Sequence, residues 1–271
     1  MKKKPKILGL GFGGVAGVLL TRCLKNDFDV YGTDNGIWAR KMIEAKPNAY
    51  KDPDLIIPVP DSLIRDYAGC PLCYLPPRDV VELCQDKNKL SKRLGDGLSP
   101  KTLWVRDIEG AGGSGSQMAS EYLPGRNVSC EMVFKDGAMM GYFQKERISY
   151  LVKRREPNVW RGIGSSAVSK CIDEKKILEL SYRALDRITD KPHGVFGIDF
   201  RENEWGDFRI TEINAGRFLT ASYVYYYKTG YNLPKRMVQL ALGMKITPLA
   251  DYPEGIGVIR QIDQLPYCGE I

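Results

Sequence analysis

Short apolar runs separated by glycines and charged residues open the chain, a pattern typical of strands that alternate with helices. Lys6–Leu10 predicts a buried strand, Val15–Leu24 a helix, and Asp29–Asp34 a second strand that ends in a carboxylate. Glycines at positions 9, 11 and 14, followed twenty residues later by that acid, have the spacing of a dinucleotide-binding turn. Because nothing further along is typical of a dehydrogenase, we interpret the unit as a lobe of this shape without a nicotinamide cofactor; a dinucleotide site is the alternative.

A second pattern follows in the middle of the chain. A lysine-rich helix is predicted from Asp86, then a strand over Thr102–Arg106, then the glycine-rich loop Gly110–Ser116. Such a loop can bring several backbone N–H groups onto phosphate oxygens, and Arg106 at the end of the strand is a ready phosphate partner. The sequence therefore favours nucleotide phosphate binding here over a flexible linker.

Two hairpins are predicted further along. Alternation over Val128–Phe134, the turn Lys135-Asp136-Gly137 and the return strand Met139–Phe143 form the first. Strands at Phe196–Arg201 and Phe208–Asn214 form the second. A two-residue loop at Trp205-Gly206 in the second hairpin places Asp199 opposite Glu212, Ile198 opposite Ile213 and Phe200 opposite Thr211.

That register puts Asp199, Glu212 and Asn214 on one face of the second hairpin. Two carboxylates directly opposite each other repel, and a divalent cation between them would offset the repulsion. Carboxylate and amide oxygens suit Mg²⁺ or Mn²⁺, with phosphates and water completing the octahedron. The alternatives are a register that differs by one residue, or neutralisation of the acids by Arg201 or Arg217.

Composition narrows the classes of function. The 271 residues are 43% hydrophobic and 27% charged, with a net charge of +7, as in ordinary globular proteins of more than one lobe. Seven cysteines and one histidine make a disulfide scaffold or a multi-histidine metal centre improbable and indicate a reduced, cytoplasmic setting. The run Lys153-Arg154-Arg155 is too short to indicate nucleic-acid binding, and the glycine-rich start is interpreted as structure and not as a signal or membrane segment.

Taken together, the motifs resemble the ATP-grasp superfamily, and within it the carbamoyl-phosphate-synthetase-like carboxylate–amine ligases. The most specific pieces are the loop Gly110–Gly115, Glu121–Gly125 and Thr211–Arg217. The resemblance implies an α/β and α+β protein with a Rossmann-like pre-ATP-grasp domain over 1–85, an ATP-grasp small lobe over 86–120 and a large lobe with the metal site over 121–271.

The resemblance also implies roles for individual residues. The ATP phosphates would be bound by Lys87 (or Lys89), Arg106, Gly112, Gly113, Ser114 and Gly115. The adenosine would be held by Glu121, Tyr122 and Leu123 at the hinge between the lobes, with Glu131 a candidate for the ribose. Two Mg²⁺ (or Mn²⁺) ions would be held by Asp199, Glu212 and Asn214. A substrate carboxylate or acyl phosphate would be bound by Arg147 and Arg217.

The activity so implied joins a small-molecule carboxylate to an amine: the carboxylate attacks the γ-phosphate of ATP, and the amine then displaces phosphate from the acyl phosphate. The alternatives are phosphorylation of a carboxylate or carbamate without amide formation, and an NAD(P)-dependent oxidoreductase using the N-terminal glycines. We expect neither nucleic acid nor membrane as a partner, and a homodimer is the default expectation.

Only five residues separate Gly115 from Glu121, too few for the helix and strand usually found between the loop and the hinge. Either these elements are lost from the protein, or loops are missing from the sequence at this point.

Overall fold

The computed structural model describes residues 3–47, 52–105, 117–156, 159–261 and 265–270. The elements in the first 94 residues are β1 (Lys6–Leu10), α1 (Val15–Leu24), β2 (Asp29–Thr33), α2 (Ile37–Lys41), β3 (Lys46–Pro47), β4 (Leu55–Pro58), α3 (Asp61–Tyr67), α4 (Arg78–Gln85) and α5 (Lys87–Leu94). The remaining elements are β5 (Thr102–Val105), β6 (Gln117–Ser120), β7 (Asn127–Lys135), β8 (Ala138–Glu156), β9 (Val159–Ile172), α6 (Lys175–Ile188), β10 (Gly194–Glu202), β11 (Phe208–Ala215), α7 (Tyr223–Thr229), α8 (Leu233–Ala241), β12 (Ile256–Ile259) and β13 (Tyr267–Glu270).

The N-terminal strands form a parallel sheet in the order β3-β2-β1-β4. The predicted β-α-β unit is confirmed, since β1, α1 and β2 lie where the apolar runs indicate. One face of α1 is buried, and this unit shares a hydrophobic core with α7 and α8 that includes Ile7, Leu24, Tyr226 and Val238.

The larger sheet is antiparallel and has the order β11-β10-β7-β8-β9-β12-β13. One face of this sheet packs with α4, α5 and α6 around a second hydrophobic core. That core includes Val81, Leu94, Phe134, Leu185 and Ile213. A separate two-stranded sheet pairs β5 with β6, so a strand does fit into the short interval before Glu121.

Both predicted hairpins are present. The turn between β7 and β8 contains Asp136 with φ 52° and Gly137 with φ 92°, the left-handed backbone that the Asp-Gly pair predicts. In the second hairpin Asp199 pairs with Glu212 and Ile198 with Ile213, as predicted.

The prediction that Phe200 faces Thr211 is wrong, because a bulge leaves Thr211 unpaired and Phe200 faces Ile210. The turn explains the shift. The buried Asn203 side chain accepts hydrogen bonds from the backbone N–H groups of Trp205 and Asp207, at 3.0 and 2.8 Å, and so closes a wider loop than two residues. The bulge absorbs the extra residue and leaves the acid pair in register.

Within the described part of the chain, no helix combines the length and the apolar character needed to cross a membrane.

Candidate active site

A cavity of about 400 Å³ lies where the end of β11 meets the helices α3, α4 and α5. It brings together three residues that the sequence predicts for the site, Lys87, Glu212 and Asn214. Lys87 is the first residue of α5, whose start is capped by Asp86: the Asp86 carboxylate accepts hydrogen bonds from the N–H groups of Asn88 and Lys89, at 3.0 and 3.1 Å. The cap fixes where the helix begins and thereby where Lys87 enters the cavity.

Asp199 lies across the ladder from Glu212 and is bound by an arginine. The Arg147 Nη2 donates to Asp199 Oδ1 at 2.6 Å, and the two side chains are only 16% and 12% exposed. Burial acts to lower the pKa of Arg147, but the Asp199 carboxylate and Tyr150 outweigh it, so that pKa is raised and the guanidinium stays charged. The arginine that pairs with Asp199 is therefore Arg147.

The two arginines named from the sequence for that neutralisation have other partners. Arg201 donates to the Tyr150 hydroxyl at 3.0 Å. Arg217 donates through Nε to Asp61 Oδ1 at 2.7 Å, and its Nη2 donates to Asn214 Oδ1. Gly216, with φ +94°, makes the turn that brings Arg217 to these partners.

The donor set fits a magnesium ion, judged by its chemistry. Glu212 and Asn214 line the cavity and supply carboxylate and amide oxygens, and Mg²⁺ is usually held by one or two carboxylates with substrate phosphates completing its shell. Among the described residues, no group of three or more His, Cys, Asp or Glu side chains is close enough to hold a metal by itself. The protein thus offers a partial set, of the kind that a bound triphosphate completes.

The predicted adenine-binding segment, Glu121 to Leu123, links the two-stranded sheet to the seven-stranded sheet. It lies between β6 and β7, and the Glu121 N–H donates to the Lys101 carbonyl at 2.9 Å. Leu123 is buried, whereas Tyr122 is 60% exposed. Glu121 to Leu123 are not among the residues that line the cavity described above.

Glu131, predicted for the ribose, is enclosed in the protein interior. Its carboxylate is bound by Lys145 at 3.3 Å, by the Tyr226 hydroxyl at 2.8 Å, by the Leu219 N–H at 3.2 Å and by the Ser222 hydroxyl. With a side chain only 1% exposed, Glu131 does not reach the cavity in this structure.

The N-terminal glycines are used for packing. Asp34, the acid that a dinucleotide ribose would need, accepts hydrogen bonds from the N–H groups of Gly13 and Gly36, at 3.0 and 2.9 Å. A Cβ on Gly9 would lie 2.1 Å from the Phe12 ring, and one on Gly13 only 2.3 Å from the Ala39 carbonyl oxygen. Close packing against Phe12 and α2 therefore accounts for Gly9 and Gly13 without a bound dinucleotide.

Five predicted phosphate-binding residues lie outside the described residues: Arg106, Gly112, Gly113, Ser114 and Gly115.

One wall of the cavity is formed by α3 and consists of Asp61, Ser62 and Arg65, none of which was predicted from the sequence. One signal was available. Asp61 follows the short strand β4 closely, and β4 is parallel to β1. Ligands of open parallel sheets bind beyond the carboxyl ends of the strands, so polar residues just after β4 are candidates for a site.

No protein-family model matches the sequence, and no curated protein sequence is significantly similar to it. Several solved structures are similar to this protein in fold. An ATP-grasp superfamily protein from Archaeoglobus fulgidus superposes with a TM-score of 0.65 at 14% identity, over 98% of this chain and 99% of that one. An L-amino acid ligase from Bacillus licheniformis has a TM-score of 0.62 at 13% identity, over 95% of this chain and 79% of that one. The N5-carboxyaminoimidazole synthetase from Staphylococcus aureus has a TM-score of 0.62 at 13% identity, over 96% of this chain and 83% of that one.

The protein has the ATP-grasp fold, and the resemblance predicted from the sequence is confirmed at that level.

Proposed function

We propose that this protein is an ATP-dependent ligase that activates a small-molecule carboxylate as an acyl phosphate and transfers the acyl group to an amine. The observation that carries the proposal is the cavity in which Lys87, Glu212 and Asn214 meet within an ATP-grasp fold. The ligase and synthetase names of two of the similar structures agree with it.

Two transfers make up the proposed reaction. An oxygen of the substrate carboxylate attacks the γ-phosphorus of ATP, the bond from that phosphorus to the β,γ-bridging oxygen breaks, and ADP leaves. The amine nitrogen then attacks the acyl carbon, the bond from carbon to the phosphate oxygen breaks, and phosphate leaves while the nitrogen loses a proton. Such chemistry depends on positioning and charge neutralisation more than on a strong base.

Residues of the chain supply that neutralisation. Lys87 would bind phosphate oxygens from the start of α5, and Arg217 would bind the carboxylate and then the acyl phosphate. Glu212 and Asn214 would hold Mg²⁺, with Asp199 across the ladder. The ion would screen the negative charges of the triphosphate. Arg147, which donates to Asp199 Oδ1, would hold that carboxylate in place across the ladder from Glu212.

The first experiment measures thermal stabilisation by ATP with and without Mg²⁺, and then ADP release with pools of carboxylic acids and amines. A ligand at a hundred times its Kd adds about 2.7 kcal/mol of stability. We expect Mg²⁺-dependent stabilisation that is lost in Lys87→Met and in Glu212→Gln. Lys92→Met and Glu204→Gln are the matched controls, since neither residue lines the cavity. Retention of full Mg·ATP binding in Lys87→Met and Glu212→Gln would refute the assigned roles.

Product analysis separates the ligase from the related possibility of carboxylate or carbamate phosphorylation. The ligase yields an amide and one phosphate per ADP. A kinase yields ADP and an acyl phosphate whether or not an amine is present.

A further inference from the structure

The helix α3 presents a pair of opposite charges to the cavity. Asp61 and Arg65 are four residues apart, which puts them on one face of α3, and both line the cavity together with Ser62. The Cβ atoms of helix residues with this spacing are about 5–6 Å apart. The roles proposed for ATP and Mg²⁺ use Lys87, Glu212 and Asn214, and they leave the α3 wall without an assignment.

Opposite charges one helical turn apart discriminate between classes of substrate. A simple amine would be attracted by Asp61 and repelled by Arg65, and a simple carboxylate would meet the reverse. A molecule with an ammonium and a carboxylate close together satisfies both groups. Arg65 approaches its neighbour Asp66 only at 3.8 Å, beyond hydrogen-bond distance, so its guanidinium donors remain suited to a ligand carboxylate.

The contacts of Asp61 also give the bound molecule a direction. Asp61 is bonded to Arg217, and Arg217 is bonded to Asn214 of the predicted metal set. A carboxylate has about four lone-pair sites, so Asp61 can bind a ligand ammonium while it holds Arg217. The ammonium end would therefore lie next to the group that binds the acyl phosphate, and the carboxylate end would point away along α3.

We propose that the α3 wall is the binding site of the amine substrate and that this substrate is an α-amino acid, whose amino group is acylated and whose carboxylate stays free, held by Arg65. This inference rests on the proposed ligase function and adds the class and the orientation of the second substrate.

Binding tests the proposal first, because it requires no knowledge of the acid partner. The melting temperature is measured with saturating Mg·ATP and a pool of L-amino acids, and separately with the matching decarboxylated amines and with the amino acid methyl esters. We expect a further rise with the amino acids alone. The rise should be lost in Arg65→Gln and in Asp61→Asn and kept in Asp66→Asn, an exposed neighbour on the same helix that does not line the cavity.

Kinetics then assign the carboxylate contact. For the amino acid that supports ADP release, Arg65→Gln should raise KM by about tenfold or more, because one charge-assisted hydrogen bond to the substrate carboxylate is lost. The kcat should change little, and Arg65→Lys should recover part of the affinity. The product should keep a free carboxylate on the amino acid portion.

The outcomes separate the two proposals. Equal stabilisation by the decarboxylated amines, or an unchanged KM in Arg65→Gln, would refute the amino acid site and leave the ligase intact. Stabilisation by Mg·ATP with no response to any amino acid would also refute it. Absence of any Mg·ATP binding would instead refute the proposed function.

Discussion

The ammonium of Lys145 lies 3.3 Å from the carboxylate of Glu131, and both side chains are shut off from solvent. Burial lowers the pKa of Lys145, because the charged form is costly without water, and the charge of Glu131 opposes that effect. The pair also binds the segment after β11: Lys145 donates to the Ser222 hydroxyl at 2.5 Å, and Glu131 accepts from the Leu219 N–H at 3.2 Å. The network ties the residues that follow Arg217 to the middle of the large sheet.

Removal of one partner of this pair should be strongly destabilising. Lys145→Met leaves the Glu131 carboxylate buried without its counter-charge, and we expect a loss of about 3–5 kcal/mol in the free energy of unfolding. Glu131→Gln should cost a similar amount. The double variant should lose less than the sum of the two single variants, because neither charge then remains unpaired. Denaturant unfolding of the four proteins measures the coupling, and strict additivity would show that the pair does not act as a unit.

The cap of α5 gives a pH-dependent prediction. The backbone N–H of Lys89 and the other partners of the cap lower the pKa of Asp86 from 3.8. A carboxyl whose pKa is lower in the folded state adds stability that is fully present above its unfolded pKa, and this stability is lost as the pH falls through the folded pKa. Asp86→Ala should therefore cost about 1 kcal/mol at pH 7 and progressively less in acid.

Asp86→Asn is the matched control for the cap, since asparagine caps helices about as well as aspartate. It should keep most of the stability at pH 7 and remove the acid-dependent part. Stability curves from pH 7 to acid for the three proteins test this. An acid-dependent loss of the same size in Asp86→Asn would mean that another group causes it.

Structural features that depend on neighbouring residues could be predicted from the sequence. The turn at Asp136-Gly137, the start of a helix near Asp86 and the β-α-β unit at the N-terminus each depend on residues a few positions apart, and each is present as predicted. The pairing of Asp199 with Glu212 was also predictable, because a one-residue slip would have turned the apolar residues of one of the two strands away from the core.

The missed features depend on contacts between distant parts of the chain. The partner of Asp199 is Arg147, from a strand separated from β10 by β7 in the sheet. Asp61 reaches Arg217 across 156 residues of sequence. Alternation and spacing specify which face a residue occupies, but not which side chain from another element will meet it there.

The turn at Gly216 should not tolerate a side chain. Its φ of +94° is unfavourable for other residues, and a Cβ there would lie 2.7 Å from Ile64 and 3.1 Å from Leu75. We expect Gly216→Ala to destabilise the protein by about 1–3 kcal/mol, and to weaken Mg·ATP binding, because the turn brings Arg217 to Asn214 of the proposed metal set.

Gly243 provides the comparison for Gly216, since its φ is +60° but nothing lies within 4 Å of an added Cβ. Gly243→Ala should show the backbone cost alone, about 1–2 kcal/mol, with Mg·ATP binding unchanged. Thermal unfolding and nucleotide titration of both variants measure these effects. Equal losses in the two variants would remove the packing against Ile64 from the explanation.

The N-terminal glycines give a final prediction that separates packing from dinucleotide binding. A Cβ on Gly13 would lie 2.3 Å from the Ala39 carbonyl oxygen, so Gly13→Ala must displace α2, and we expect a loss of about 1–3 kcal/mol. A Cβ on Gly14 would meet nothing within 4 Å, so Gly14→Ala should cost less than about 1 kcal/mol, the difference between glycine and alanine at a helix start. Both variants should keep Mg·ATP binding, and neither NAD⁺ nor NADP⁺ should stabilise the unaltered protein in thermal unfolding. Stabilisation by a nicotinamide cofactor that disappears in Gly14→Ala would instead show that the glycine turn is a ligand site and that α2 moves aside to open it.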